Sequence, residues 1–254
     1  MTAVTLEASH LGVSGVPTAV IDTGPWSPSA GAPPVLLLHG SGPGVDAAAN
    51  WRAVIPALSA GRRVIAPDQL GFGGTATGEP RTYGRAAWTA HSLDLLDTLG
   101  LGTVDIVGNS MGGAIALSLA VARPPAVRRI VLMGPMGGLF AHDPGIVTDE
   151  LIQLRFQASL TPPVRDSWQA MFPAPRQRWV DDLALSGAEL GSVEVPVLLV
   201  HGRDDRVVPW RASSAQLLDL LPDARLHVLA GCGHWTMIEK TADFLAVVLP
   251  FLAA

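Results

Sequence analysis

At 254 residues, with 48% apolar and only 15% charged positions, the chain is long enough to bury a core as one domain and too apolar for long disordered tails. A net charge of −5 without any run of Lys or Arg argues against nucleic acid and anionic membranes as partners, since both need clustered basic residues. A lone cysteine, Cys232, excludes an intrachain disulfide framework. No apolar run is long enough to span a bilayer, and the first basic residue is Arg52, so the start lacks the charged region of a secretory signal; a cytoplasmic location is expected.

From Thr2 to Ile21 a weak alternation interrupted by Gly12, Gly15 and Pro17 predicts an opening β-hairpin. Trp26 to Pro34 is rich in Pro, Ser, Ala and Gly and reads as a loop. Val35-Leu36-Leu37-Leu38 is continuously apolar and stops at His39-Gly40. Similar runs recur at Val64–Ala66, Val104–Val107, Ile130–Leu132 and Val197–Val200, with a weaker one at Leu226–Leu229. Such runs are the mark of strands buried on both faces of a parallel sheet. Apolar residues at spacings of three and four predict helices over Ala47–Ala60, Thr82–Leu99, Met111–Arg123, Arg211–Leu221 and Lys240–Leu252. Strands alternating with helices imply an open α/β sheet with right-handed crossovers. Gly137 to Val195 breaks this alternation and carries helical patches at Asp149–Gln157 and Arg176–Leu185. The expected organisation is a core of residues 1–136 and 190–254 with a helical lid insertion over 137–189.

The strongest local signal is Gly108-Asn109-Ser110-Met111-Gly112, a G-x-S-x-G pentapeptide between a predicted strand and a predicted helix. A sharp turn there lifts a serine oxygen above the sheet edge, and the helix start supplies free N–H groups for a developing oxyanion. Ser110 is therefore the candidate nucleophile. Behind such an elbow the chain order is nucleophile, acid, histidine. His10, His91 and His142 precede or miss the loops at the strand ends. His39 opens an early loop and suits a role in supporting that turn, and His201 and His227 fall inside strands as packed or surface residues. His234, in Gly231-Cys232-Gly233-His234-Trp235 after the last strand, is left as the candidate base.

After the preceding strand, Gly202-Arg203-Asp204-Asp205 offers two carboxylates to orient that base. A spacing of glycine, two residues, then acid favours Asp205, with Asp204 as a neighbour suited to binding loop backbone or an arginine. His39-Gly40-Ser41-Gly42-Pro43-Gly44 follows the first long buried strand, and the Ser41 and Met111 amides are the expected oxyanion donors. Asp68 to Gly73 reads as structural, and Cys232, lacking an elbow, as packing. No Cys/His cluster has metal spacing and no phosphate-binding glycine loop is present, so neither metal nor organic cofactor is expected.

Together, His39–Gly44, Gly108–Gly113, Gly202–Pro209 and Gly233–Trp235 resemble the meta-cleavage product hydrolases of aromatic degradation, in the α/β-hydrolase superfamily. Phe172 to Asp181 is similar to the branch acting on 2-hydroxymuconic semialdehyde and monoalkylated relatives. The resemblance implies an α/β-hydrolase fold, with a mostly parallel eight-stranded sheet, helices on both faces and a lid. It implies hydrolysis of a carbon–carbon bond in a 2-hydroxy-6-oxo-hexa-2,4-dienoate-type ring-fission product, without a cofactor. It also implies that Asn50, Asn109, Arg155 and Trp235 hold the dienoate end of the substrate, Arg155 by a bidentate fork on its carboxylate. The expected partner is a small-molecule substrate, with neither nucleic acid nor membrane, and a homodimer is the candidate assembly. One departure stands out: Gly134 to Val147 bridges an interval that is markedly longer in the family. A shortened lid leaves a wetter pocket and keeps a carboxylesterase acting on small esters as the competing reading. A third, non-catalytic ligand-binding reading conflicts with the complete triad, and haloalkane dehalogenation would need Asp at position 110.

Overall fold

The structure is a computed structural model in which residues 6–24, 32–76, 81–134, 157, 159–175 and 177–254 are described. The opening hairpin consists of β1 (Ser9–Val13) and β2 (Val16–Asp22), with Ser14 and Gly15 at positive φ in the two-residue turn. The chain continues through β3 (Val35–Leu38), α1 (Ala47–Trp51), α2 (Ile55–Leu58), β4 (Val64–Pro67), α3 (Arg85–Thr98), β5 (Val104–Asn109), α4 (Met111–Ala122) and β6 (Val127–Met133). After β6 come α5 (Pro162–Met171), α6 (Gln177–Leu183), α7 (Gly187–Gly191), β7 (Val197–Gly202), α8 (Ser214–Leu220), β8 (Ala224–Leu229), α9 (Thr236–Glu239) and α10 (Thr241–Ala253).

Eight strands form one sheet in the order β1-β2-β4-β3-β5-β6-β7-β8. Pairing is parallel from β4 through β8, and antiparallel for β1 with β2 and β2 with β4. The apolar runs are explained by two cores. Along β3, Leu36 and Leu38 join the core that holds α3 and α4 residues, while Val35 and Leu37 join the core of α1, α2 and α10. All four are fully buried, and each such side chain contributes about 1.5–3 kcal/mol of hydrophobic stabilisation. The weaker β8 is one of the two edge strands, and its residues are half-buried or exposed, none fully buried.

Two predicted helices are broken. Ala47–Ala60 divides into α1 and α2 because Pro56 has no N–H to donate and fits only in the first turn of a new helix. Arg211–Leu221 begins instead as a short 3-10 turn at Trp210–Ala212, before α8. In the proposed insertion, the patch Asp149–Gln157 lies outside the described residues apart from Gln157. The Arg176–Leu185 patch corresponds to α6. Helix α5, which periodicity did not reveal, opens on Pro162-Pro163 at its first positions and packs on the core through aromatic side chains. Trp168 lies 6.3 Å from Phe72 and 4.6 Å from Phe172, and Phe172 lies 6.4 Å from Trp88, centroid to centroid.

Candidate active site

Strand order places the chemistry. β3 leads through α1 and α2 to β4 on one side, and β4 leads through α3 back to β5 on the other, so the sheet reverses direction between β3 and β5. Because Leu38 pairs with Gly108, the loop after β3 lies beside the turn after β5. Because Gly202 pairs with Leu229, the loop after β7 lies beside the one after β8. Ser110, Asp205 and His234 are thereby drawn to one carboxyl edge from three separate strands.

Ser110 sits between β5 and α4 at φ 53° and ψ −118°. Apart from Ser14 in the hairpin turn, it is the one described non-glycine residue with positive φ. The turn is held by Ser110 N–H donating to Met133 O at 2.9 Å and by Gly113 N–H donating to Ser110 O at 2.9 Å. Glycine at position 112 is required by close approach: a Cβ there would overlap the Leu38 carbonyl oxygen, while one at position 108 would lie 2.5 Å from Gly112 O. Met111 opens α4, so its N–H has no intrahelical acceptor. Gly40, the residue before Ser41, approaches Ser110 closely enough that a Cβ on it would be 3.1 Å from Ser110 Cβ. The loop containing Ser41 and the first amide of α4 thus flank the same serine.

His39 supports that loop, as expected. Its Nε2 accepts from Gln69 N–H at 2.9 Å, so Nδ1 carries the proton and donates to Gly40 O at 2.7 Å. The Gln69 side-chain amide donates to His39 O.

Asp205 and His234 are joined by an Nδ1–Oδ2 hydrogen bond of 2.8 Å, with His234 2% exposed. The bond fixes the proton on Nδ1 and leaves Nε2 as the basic nitrogen. Asp205 Oδ1 accepts from the Val207 and Val208 amides at 2.8 and 3.0 Å, which freezes the carboxylate. Burial pushes the Asp205 carboxyl upward, yet donation from His201, His234 and the Val208 amide outweighs it and holds the group well below the usual carboxylate range. Asp204 points elsewhere: its Oδ2 accepts from Gly231 N–H at 2.9 Å, and Arg203 lies 3.6 Å away. Cys232 is fully buried, and burial pushes its thiol up to about 12, far from a reactive thiolate.

The residues expected at the dienoate end are distributed unevenly. Asn50 lies within α1 and is 5% exposed; its Nδ2 has no partner among the described residues. A capping role is excluded, because Asp46 is the N-cap and accepts from Ala49 N–H at 2.6 Å. Asn109 is 1% exposed at the end of β5, and its Nδ2 donates to Met133 O at 3.4 Å. Trp235 is half-buried beside His234, with its N–H donating to Glu239 Oε1 at 3.1 Å. Arg155 lies outside the described residues.

Two neighbours of the Asp205–His234 pair escaped the sequence reading. His201, on β7, also donates to Asp205 Oδ2, at 3.0 Å. Gly134, the residue after β6, has φ +43°, and a Cβ there would meet His234 Nδ1 and Cε1 at 2.8 Å. Neither carries a motif. Only a strand order that brings β6, β7 and β8 side by side marks them. An apolar cavity of about 330 Å³ lies beside this edge, bounded by Leu117, Leu183, Leu190, Val208 and Leu217. It borders the acid loop at Val208, but none of Ser110, Asp205 and His234 lines it.

Comparison with known proteins gives a consistent result. The model of the alpha/beta hydrolase family matches residues 35–247. The chain is 43% identical to the 2-hydroxy-6-oxo-2,4-heptadienoate hydrolase of Pseudomonas putida over 281 aligned positions, covering 100% of this chain and 99% of the relative. It is 45% identical to a 2-hydroxymuconate semialdehyde hydrolase of a Pseudomonas species over 246 positions, 87% of each chain. The solved meta-cleavage product hydrolase of Pseudomonas fluorescens superposes with a TM-score of 0.89 at 40% identity, over 96% of this chain and 97% of that one. At such identity over nearly the full length of both partners, the chain belongs to the alpha/beta hydrolase family and, within it, to the meta-cleavage product hydrolases.

Proposed function

We propose that the protein hydrolyses the carbon–carbon bond of a 2-hydroxy-6-oxo-hexa-2,4-dienoate-type ring-fission product, with Ser110 as nucleophile, His234 as base and Asp205 as the acid that orients the base. The observation carrying the reading is the 2.8 Å Asp205–His234 bond on the same sheet edge as the Ser110 elbow, in a chain 43% identical end to end to a hydrolase named for such a dienoate. The sequence of events follows from the chemistry. The bound dienol first takes its keto form, which makes the carbon fragment a competent leaving group. Ser110 Oγ then gives its proton to His234 Nε2 and attacks the distal ketone, and the amides of Ser41 and Met111 receive the tetrahedral oxyanion. Collapse breaks the carbon–carbon bond. The departing dienolate takes the proton held on His234 Nε2 and leaves as 2-hydroxypenta-2,4-dienoate; the freed imidazole then activates water, which releases the acyl group as a carboxylic acid and returns the proton to Ser110 Oγ.

The buried, unpartnered Nδ2 of Asn50 supports its assignment to a substrate oxygen, since a buried donor without an acceptor costs about 1–3 kcal/mol unless a ligand supplies one. Asn109, Trp235 and Arg155 complete the proposed dienoate site, with Arg155 as the carboxylate anchor. Residues 137–189 are proposed as its lid, in a cytoplasmic catabolic enzyme acting on a small molecule. The 281 aligned positions exceed the 254 residues of this chain, so the heptadienoate hydrolase carries segments that this protein lacks. That difference is what favours the second reading, an esterase with a more open pocket.

The deciding experiment follows loss of the visible absorbance of 2-hydroxy-6-oxo-hepta-2,4-dienoate alongside release of p-nitrophenol from p-nitrophenyl acetate. Decay of the dienoate, abolished in Ser110→Ala, is the expected result. An inert dienoate with rapid ester cleavage transfers the assignment to the esterase.

A further inference from the structure

Five of the seven histidines are set aside by position: His10, His91 and His227 lie away from the triad, His142 is outside the described residues, and His39 braces its loop. His201 differs from all of them. It is fully buried at the end of β7, four residues before Asp205, in a strand whose neighbours are otherwise apolar. Its Nε2 lies 3.0 Å from Asp205 Oδ2 and 2.8 Å from Val208 O. Both partners are acceptors, so Nε2 must carry a proton that is shared between them. Its Nδ1 lies 2.6 Å from the hydroxyl of Ser214, fully buried at the start of α8; in the neutral ring that nitrogen accepts and the serine donates.

We propose that His201 is a second positioning histidine, which holds Asp205 Oδ2 in place and shares its charge, so that the acid steers His234 without binding its proton too tightly. This rests on the triad assigned above. The oxygen that receives His234 Nδ1 at 2.8 Å is the one that receives His201, so one lone-pair region serves each ring. Oδ1 is already occupied by two backbone amides, which leaves no other route by which the carboxylate could reorient. The His201 ring also ties β7, the acid loop and α8 into one unit through Val208 O and Ser214.

A donor on Oδ2 draws negative charge away from His234. Removing it concentrates that charge on the catalytic imidazole, favours the imidazolium, and so delays formation of the free base as pH rises. Among the described residues, the other charged and titratable groups near this carboxylate are Arg203, Asp204 and Arg206 in its own loop, Cys232 in the loop after β8, and Glu239 and Lys240 beyond it. None of them donates to Oδ2, so the effect of His201 on the pH profile is separable from theirs.

The test uses the intact enzyme with the heptadienoate as substrate and three variants. His201→Leu removes the donor, His201→Gln restores one of similar reach, and Ser110→Ala reports on the triad independently. For His201→Leu the expected result is a fall in kcat of roughly 10- to 100-fold with KM within about twofold. The midpoint of the acidic limb of kcat/KM should rise by about half a pH unit. His201→Gln should recover most of both changes. Wild-type kcat and pH midpoint in a folded His201→Leu, or a glutamine variant no better than leucine, would overturn the proposal. Should the leucine variant not fold, nitrogen-15 histidine spectra of the unaltered enzyme decide instead. His201 is expected to be protonated at Nε2, and protonation at Nδ1 alone defeats the idea. Dienoate turnover that survives in Ser110→Ala breaks the triad reading itself and is recognised separately from any result at His201.

Discussion

Two buried aspartates at opposite edges of the same sheet show how one side-chain type is put to different uses. Asp105, at the amino-terminal end of β5, is fully buried and gripped by Arg62 Nη1 at 2.8 Å and by Arg128 Nε and Nη2 at 2.8 and 2.7 Å. Both arginines also donate to Leu252 O, so one carboxylate joins the approach to β4, β5, β6 and the last helix. Asp205, at the carboxyl-terminal edge, bonds no arginine among the described residues and is held instead by two histidines and two amides. A guanidinium is charged at any pH the protein meets, so it locks a carboxylate for good. An imidazole gains and loses a proton near neutrality, so a carboxylate bound to it can serve a proton-transfer cycle. The partner, rather than burial, separates the acid suited to a structural role from the one proposed for the chemistry.

Exchanging one oxygen for nitrogen at each site tests the contrast most severely. Asp205→Asn should lower kcat by roughly 10⁴ while leaving the urea midpoint close to wild type, because the amide stabilises the wrong tautomer of His234. Asp105→Asn should do the opposite, retaining kcat and losing about 3 kcal/mol of stability as Arg62 keeps a buried, uncompensated charge. Similar catalytic losses in both variants would erase the distinction between the two edges.

A smaller effect is expected from Gly134→Ala. The added methyl would lie 2.8 Å from His234 Nδ1 and Cε1 and 3.2 Å from Asp205 Oδ2, so the ring must move. A displacement of that kind costs about 100-fold in kcat/KM. Activity within a factor of two of wild type would show that the histidine is not confined as tightly as the geometry requires.

Asp68 sharpens the comparison as a third case, a buried carboxylate held by amides of Ala47 and Gly74 at 2.7 and 2.8 Å. Burial lifts it to about 6 against the pull of those amides. A folded-state value above the unfolded one means that the neutral form is favoured by folding. Its contribution is therefore fully present below about pH 4 and is lost as pH rises through about 6. Asp68→Asn cannot ionise, so the stability difference, wild type minus variant, should fall by about 2 kcal/mol between about pH 4 and pH 7, read from urea midpoints. Parallel curves would mean that this carboxyl titrates alike in both states.

Much of this was legible along the chain. Continuous runs such as Val35–Leu38 announced their strands because both faces of a central strand are covered, and β8 was faint because an edge strand is covered less. The elbow was readable because a G-x-S-x-G turn is local: its glycines are required by contacts within a few residues and with the adjoining strand. The candidate acid and base could be ordered along the chain because chain order in such sheets fixes which loop reaches the edge. Periodicity failed where backbone chemistry intervened, at Pro56 between α1 and α2 and at the 3-10 turn before α8.

What the sequence determined by itself was the alternation of buried strands and helices, and the identity of the three residues proposed for the chemistry. Only the tertiary structure decided that His201 shares Asp205 with His234, that Gly134 must stay small, and that Asn50 is buried with a donor lacking a partner among the described residues rather than capping a helix. The reason is physical. A residue's secondary structure follows from neighbours a few positions away, whereas a hydrogen bond across a sheet edge depends on which strands lie side by side, and strand order is a property of the whole packed chain.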